Sequence, residues 1–459
     1  MTRVFVILAL LFGTIYVFLI PPFQAPDEVH HFYRSYHVAE GNWIGEKTED
    51  QRFGGVLPNS LEQFSNAFRY LRYAPEAKTN LDSLKKVAQI PLLTQDTVFL
   101  DFPNVAYYAT SAYLPQSVAV RVGVLLEMRP IYLFYLTRFI NLLFWITFLY
   151  FSLRVLPFHQ FTFAFLALLP ASLVFHAGIN ADAVTNACCF LLLTHILALI
   201  FTEKSIQKKQ FWLLVLSTII TINKVVYAPI FLLFWLIPIR KFGGKRNYFL
   251  LNLGLLIFHA ALLAIWYKIA GNLFIPYDEY NPLFREDKQL NPGVAPLAQL
   301  DFILSEPLEF LKILFSSYLE IFPYTLIHYV GKFGWEGNYL PIWMLFILLL
   351  ALLVVPILDQ HKKIELRPCH RLAFISIGLI MMLAFSVVIY MQWNAPRDPQ
   401  ITALSGRYFI PIFPLFFLAL YQRKWKWLRQ NQLKMLIICI TVLGNLVGIY
   451  SVWMRYYQY

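Results

Sequence analysis

Residues 4–34 read VFVILALLFGTIYVFLIPPFQAPDEVHHFYR. From Val4 to Ile20 the run carries no charge and is long enough to approach the hydrocarbon thickness of a bilayer, about 30 Å. It exceeds the h-region of a signal peptide, about 7–15 residues, and no small-x-small pattern precedes Pro21-Pro22. It therefore predicts an uncleaved first transmembrane helix. The stretch after it gathers Asp27, Glu28, His30, His31 and Arg34 within a few residues. Charge of that density at a membrane exit asks for a purpose.

The rest of the chain has the same character. Of 459 residues 59% are hydrophobic and only 14% charged, with a mean hydropathy of +0.57. Soluble domains carry about 25% charged residues, so the expected class is an all-α polytopic membrane protein whose partner is the bilayer. The net charge of +12 fits cytoplasmic loops. No basic stripe with interleaved aromatics points to nucleic acid. Cys188, Cys189, Cys369 and Cys439 lie in apolar runs or a basic loop and show neither disulfide nor metal spacing.

Apolar stretches near 4–20, 131–153, 161–179, 183–201, 247–270, 341–358, 371–391, 408–421 and 433–453, with shorter ones at 211–222 and 226–239, predict about eleven membrane segments. They form one domain, 1–459. Its long first external loop, 21–130, is expected to carry interfacial helices, and 271–340 reads as a second external or re-entrant region. With the N-terminus cytoplasmic, the basic stretches 202–210, 240–246, 359–371 and 422–434 all fall inside. The segment 302–330 is then an external interfacial helix or a re-entrant hairpin. Residues 211–239 make a shallow hairpin with Asn223-Lys224 at its tip.

This orientation collects the out-of-place polar residues on the outer side: Asp27, Glu28, His31, Arg34, Asp101, Asp182, Lys224 and Arg407. Polar groups at membrane depth are costly and are site candidates by default. Pro26 suits the first helical position, with Asp27 and Glu28 in the first turn complementing the helix dipole. Helical spacing puts Asp27 and His31 on one face and His30 and Arg34 on another. A carboxylate here could take a proton from an attacking hydroxyl or join a divalent-metal site. Asp182 stands at a helix boundary, where it could instead be a simple N-cap. His176, deeper in its apolar run, reads as a core histidine. Lys224, at a tip that points away from the cytoplasm, could hold an anionic group. Arg407, with Tyr408 beside it, offers a guanidinium fork suited to phosphate. A lipid-linked phosphosugar would match: tail in the bilayer, phosphate on Lys224 or Arg407, sugar near Asp27. No metal-ligand set is evident, and a divalent cation such as Mg2+ or Mn2+ is left open.

APDEVHHFYR, DFPNVAYYATSAYLPQ (101–116), LPASLVFHAGINADAVTNA, NKVVYAPIFLL, GKFGWEGNYLP (331–341) and SGRYFIPIFPL occur in that order along the chain. In these stretches it resembles the bacterial family called domain of unknown function 2142, which is grouped by similarity with the GT-C glycosyltransferases. The resemblance implies a multi-spanning enzyme of the bacterial cytoplasmic membrane with an extracytoplasmic site. Such an enzyme moves a sugar, with inversion, from a polyprenyl-phosphate or -diphosphate donor to a cell-envelope glycan or lipid acceptor. It also implies Asp27 as general base, with Glu28 sharing that role or binding metal. Asp182 would be the second acidic position, and Arg407 and Lys224 donor-phosphate contacts. His31, Arg34, Tyr408 and Asp101 are counted with the substrate-binding residues. The rival expectations are a lipid-linked-glycan transporter or flippase, and a ligase or polymerase using a diphosphate-linked donor.

Overall fold

A computed structural model describes residues 1–206, 210–271, 273–286, 290–335, 337–361, 364–421 and 429–458. The basic stretches 202–210, 359–371 and 422–434, and the stretches 271–340 and 331–341, therefore lie partly outside the described residues.

The protein is mostly helical. Among the described residues seven helices are long and apolar enough to cross a membrane: Thr2–Leu19, Pro130–Val155, Asp182–Phe201, Lys245–Ala270, Pro307–Gly331, Pro368–Trp393 and Gln430–Tyr456. The pair Gln160–Ala167 and Pro170–Ala177, bent by 57°, makes an eighth if taken as one span. The bend falls where it must: Leu169, ahead of Pro170, is extended at φ −56°, ψ 139°, because a following proline disfavours the α-region.

Eleven segments are thus not observed as eleven long helices. Some are shorter apolar helices, Phe211–Asn223 and Ile342–Leu358, and proline marks others. Pro229 lies inside a 3₁₀ helix, Val225–Leu236. The stretch 408–421 is split between a 3₁₀ turn, Gly406–Phe409, and a short helix, Phe413–Ala419. The segment 302–330 forms no hairpin. It takes in the end of a short helix, Pro296–Ser305, and then one continuous helix, Pro307–Gly331. The long helix starts beside Glu306, which pairs with Arg397. Beyond its far end, Trp335 Nε1 donates to the Phe23 carbonyl at 3.4 Å.

The region 21–130 departs from an all-helical plan. It holds a three-stranded antiparallel sheet in the order β1 (Glu46–Lys47), β2 (Phe53–Pro58), β3 (Thr97–Asp101). Gly54 pairs with Asp101 across the sheet. A Cβ at Gly54 would come within 1.9 Å of the Leu100 carbonyl oxygen, so only glycine fits. Helices Glu28–Ala39, Asn59–Asn66, Leu81–Val87 and Leu114–Leu125 complete the region. Its apolar centre is keyed to the membrane body: Phe23 meets Phe64 at 4.8 Å and Phe134 at 4.6 Å, and Phe134 belongs to the helix Pro130–Val155. Offset and edge-on aromatic contacts of this kind add to the burial energy of the rings.

In the helical interior, His176 stacks on Trp145 with ring centroids 3.6 Å apart. Its Nδ1 lies 2.7 Å from the Ser172 carbonyl and its Nε2 3.2 Å from Asn186 Nδ2. Both ring nitrogens are engaged, as expected of a core histidine.

Candidate functional site

Asp27 is the N-cap residue of a helix that begins at Glu28, not a first-turn residue behind Pro26. Its backbone is left-handed, φ 63°, a conformation aspartate tolerates better than most residues. The carboxylate makes no capping bond. It reaches instead to Arg407, whose Nη2 donates to Oδ2 at 2.9 Å, and Asn104 Nδ2 lies 3.5 Å from Oδ1. Strained backbone held by its surroundings is a recurrent mark of functional sites.

A second ion pair joins Asp182 to Lys224. Asp182 is the first residue of the helix Asp182–Phe201, but the capping bond is made by Asn180 Oδ1, which accepts from Ala183 N at 2.8 Å. That leaves the Asp182 carboxylate for the lysine. Lys224 interrupts the run between Gln210–Asn223 and Val225–Leu236 with an extended backbone, φ −150°, ψ 97°. The break turns the chain at the hairpin tip. Ser111 Oγ donates to Asn223 Oδ1 at 2.6 Å, tying this tip to the region 21–130.

Tyr408 links the two pairs. Its hydroxyl accepts from Arg407 Nη2 at 3.0 Å, and its ring centroid is 4.9 Å from the Arg407 guanidinium and 5.2 Å from Lys224 Nζ. Its own carbonyl accepts from Tyr227 OH at 2.9 Å. Gly406 allows this geometry: a Cβ there would meet Tyr329 N at 2.3 Å. His31 faces the same charges and shares a 2.8 Å hydrogen bond with Tyr113 OH. The four ionised side chains stay slightly open, with 12–19% exposure.

Burial works against the ionised form of Asp27, but Arg407 above all, and His31 behind it, hold its carboxyl below the usual carboxylate range. Burial pushes His31 down to about 4, against the pull of Asp27 and Asp182 and with the help of Arg407 and Lys224. At neutral pH the site therefore has an ionised Asp27 beside a neutral imidazole.

Three sequence candidates lie elsewhere. Glu28 is 1% exposed and faces inward. Arg138 Nε and Nη2 each donate to it at 2.7 Å, and Ile179 N donates at 2.9 Å. With both oxygens taken it shares no role with Asp27 in this geometry. Arg34, fully buried, donates to the carbonyls of Asn42, Trp43 and Tyr108 and contacts His37 Nδ1 at 2.8 Å. It clamps loops together instead of facing a phosphate. Asp101 is bound by Arg52 through Nε at 3.2 Å and Nη2 at 2.7 Å, and by Tyr280 OH at 2.5 Å. It secures the sheet.

Sequence reasoning passed over Arg138, although an arginine inside LTRFINLL was a signal by the same rule that singled out Lys224. It also passed over Asn104 and Tyr113, uncharged residues in the proline-tyrosine stretch. Among the described residues no group of three His, Cys, Asp or Glu side chains could hold a metal ion. Asp27 and Asp182 each face a cation of the chain itself. The donor set does not fit a divalent cation, and no step is derived through one.

Long apolar helices, with ion-paired side chains set between their ends, define a multi-pass helical membrane protein. The chain belongs to the family described as "Predicted membrane protein (DUF2142)", whose model matches residues 10–416. No curated protein and no solved structure matches the chain.

Proposed function

We propose that the protein is an inverting glycosyltransferase of GT-C type, taking a sugar from a polyprenyl-phosphate or -diphosphate donor on the extracytoplasmic face of a bacterial cytoplasmic membrane. One observation carries the reading. Asp27–Arg407 and Asp182–Lys224, four residues from remote parts of the chain, are joined through Tyr408 into one cluster. In this reading the N-terminus is cytoplasmic and the region 21–130 lies outside, where the acceptor would be a cell-envelope glycan or lipid.

Asp27 is the base. An acceptor hydroxyl oxygen attacks the anomeric carbon from the face opposite the phosphate. Its proton passes to Asp27, and the bond between the anomeric carbon and the phosphate oxygen breaks with its electrons staying on the phosphate. Lys224 and Arg407 then stabilise the charge gathered on the leaving group. Arg407 has a double part. While it donates to Asp27 it keeps that carboxylate weakly basic, and a donor phosphate drawing the guanidinium away would raise the proton affinity of Asp27 as the substrate arrives.

The test incubates purified protein in sealed proteoliposomes with radiolabelled polyprenyl-phosphate hexoses, polyprenyl-diphosphate glycans and envelope-extract acceptors. Transfer by the wild type and its absence in Asp27→Asn support the reading. Movement of the labelled lipid across the bilayer without any bond cleavage would overturn it in favour of a transporter.

A further inference from the structure

His31 has one ring nitrogen in use and one to spare. Its backbone N–H donates to the Asp27 carbonyl at 3.0 Å, so it stands one helical turn beyond Asp27. Nδ1 lies 2.8 Å from the Tyr113 hydroxyl. Among the described residues no hydrogen bond reaches Nε2, although His31 is only 7% exposed. The ring lies close enough to both ion pairs to be influenced by Asp27, Asp182, Arg407 and Lys224. We infer that Tyr113 is a positioning residue that fixes the proton of His31 on Nε2, so that His31 gives the site a neutral donor for a phosphate oxygen and is no base.

The hydroxyl decides the tautomer. Tyr113 is fully buried, and among the described residues its hydroxyl bonds only to His31 Nδ1. A neutral imidazole has one donor and one acceptor nitrogen. Were Nδ1 to donate, the tyrosyl proton would be buried without an acceptor, a costly arrangement. With Tyr113 donating, both atoms are satisfied and the imidazole proton is left on Nε2. Burial also secures the tyrosyl proton, pushing the hydroxyl well above the ordinary tyrosine range. The ring itself is pinned. It packs in one cluster with Val38 and with Ala181, the residue ahead of Asp182. It also closes the 3₁₀ turn Thr110–Tyr113, whose Ser111 is tied to Asn223.

A spare donor in this place suits an oxyanion. Asp27 and Asp182 each have a cation already, so neither needs the imidazole. Arg407 donates to Asp27 and Tyr408, and Lys224 pairs with Asp182. An arriving phosphate therefore meets, in the imidazole N–H, a donor that is not committed elsewhere. Hydrogen bonds to an ionised acceptor are the stronger kind. The same tautomer bars His31 from base catalysis, because Nδ1 holds the Tyr113 proton and Nε2 offers no in-plane lone pair. Proton acceptance is left to Asp27. The part given to phosphate rests on the transferase reading; the tautomer rests on the geometry alone.

Two measurements test this, and neither needs turnover. The first is ¹⁵N NMR of histidine-labelled protein in nanodiscs near neutral pH, with the His31 signals identified by their loss in His31→Gln. The wild type should carry the proton on Nε2, and Tyr113→Phe should bring in the form protonated on Nδ1. The second compares binding of farnesyl phosphate and farnesol, which differ only by the phosphate. His31→Leu should weaken the phosphate about tenfold and leave the alcohol unchanged. His31→Gln, whose amide N–H can take the place of Nε2–H, should restore most of that affinity. Tyr113→Phe should weaken the phosphate in the same sense, and it keeps the buried ring should His31→Leu fail to fold. A wild-type proton on Nδ1, or a tautomer unchanged in Tyr113→Phe, would overturn the proposal. So would undiminished phosphate affinity in His31→Leu, or a wild type that does not prefer the phosphate to the alcohol. If tautomer and phosphate preference hold while no sugar is ever transferred, the transferase reading falls and this assignment stands.

Discussion

Arg138 holds Glu28 with two parallel hydrogen bonds of 2.7 Å, while its Nη1 donates to the carbonyls of Val17 at 3.0 Å and Ile20 at 2.6 Å. Glu28 in turn accepts from Ile179 N at 2.9 Å. This one buried pair joins the exit of the first helix, the residue after Asp27 and the loop just ahead of Asp182. Adjacent carboxylates thus divide their work: Asp27 turns to Arg407, and Glu28 anchors the backbone that presents it.

Arg138→Gln should destabilise the protein by about 3–5 kcal/mol, because it leaves a carboxylate buried without its counter-charge. The double variant Arg138→Gln with Glu28→Gln should lose clearly less, since no lone charge remains. Thermal unfolding in detergent, followed by tryptophan fluorescence, reads the difference. A double variant as unstable as the single one would show that the pair's geometry, not its charge balance, matters.

Asp27→Asn keeps the shape and the left-handed backbone, which asparagine also tolerates, and removes the proton acceptor. Transfer should fall about 10²–10⁴-fold, the usual share of a general base. Expression should persist, while the melting temperature should fall because Arg407 loses its counter-charge, so transfer is compared at a temperature where both proteins are folded. Near-normal transfer rates in this variant would end the assignment.

How much of this was legible in advance depends on the residue. Long uninterrupted helices such as Pro368–Trp393 follow from hydropathy alone. Segments that hold Pro170 or Pro414 look like spans to a hydropathy count, although the helix is bent or broken within them. Strand β2, FGGVLP, gives no alternation to read; Gly54 is set by the Leu100 backbone and Gly55 by the His37 ring. The cations and carboxylates that meet at Tyr408 stood out as polar residues in apolar surroundings. Their pairing did not, because it depends on a left-handed turn at Asp27 and a cap at Asn180. Glu28, Arg34 and Asp101 carried the same signal, and their partners Arg138, Trp43 and Arg52 are what separate structure from site.

Acid should weaken the region 21–130 through its histidines. His31 is pushed down to about 4 and His37 to about 3, in both cases chiefly by burial, against about 6.5 in an unfolded chain. Above pH 6.5 both states are neutral at these positions and the contribution is complete. As pH falls toward 4 the unfolded chain takes up protons that the folded one refuses, and stability drops by up to about 1.4 kcal/mol per pH unit for each site. His31→Gln should therefore flatten the loss of melting temperature between pH 7 and pH 5. An unchanged slope in that variant would place the acid sensitivity elsewhere.

Arg407 and Lys224 should be separable by kinetics. Lys224→Met removes a cation that faces Asp182 and the Tyr408 ring but not Asp27, so the donor KM should rise about tenfold or more. Asp182 would be left without its partner, and Asp182→Asn in the same chain should restore stability without restoring donor affinity. Arg407→Met acts on both substrate and base. Without the guanidinium, burial dominates at Asp27 and its carboxyl rises toward and above the ordinary range. The acid limb of the pH–rate profile should then move to higher pH, which Lys224→Met should not reproduce. If Arg407→Met lowers the rate with the acid limb unmoved, Arg407 acts only on the phosphate and the coupling between donor arrival and base strength is lost.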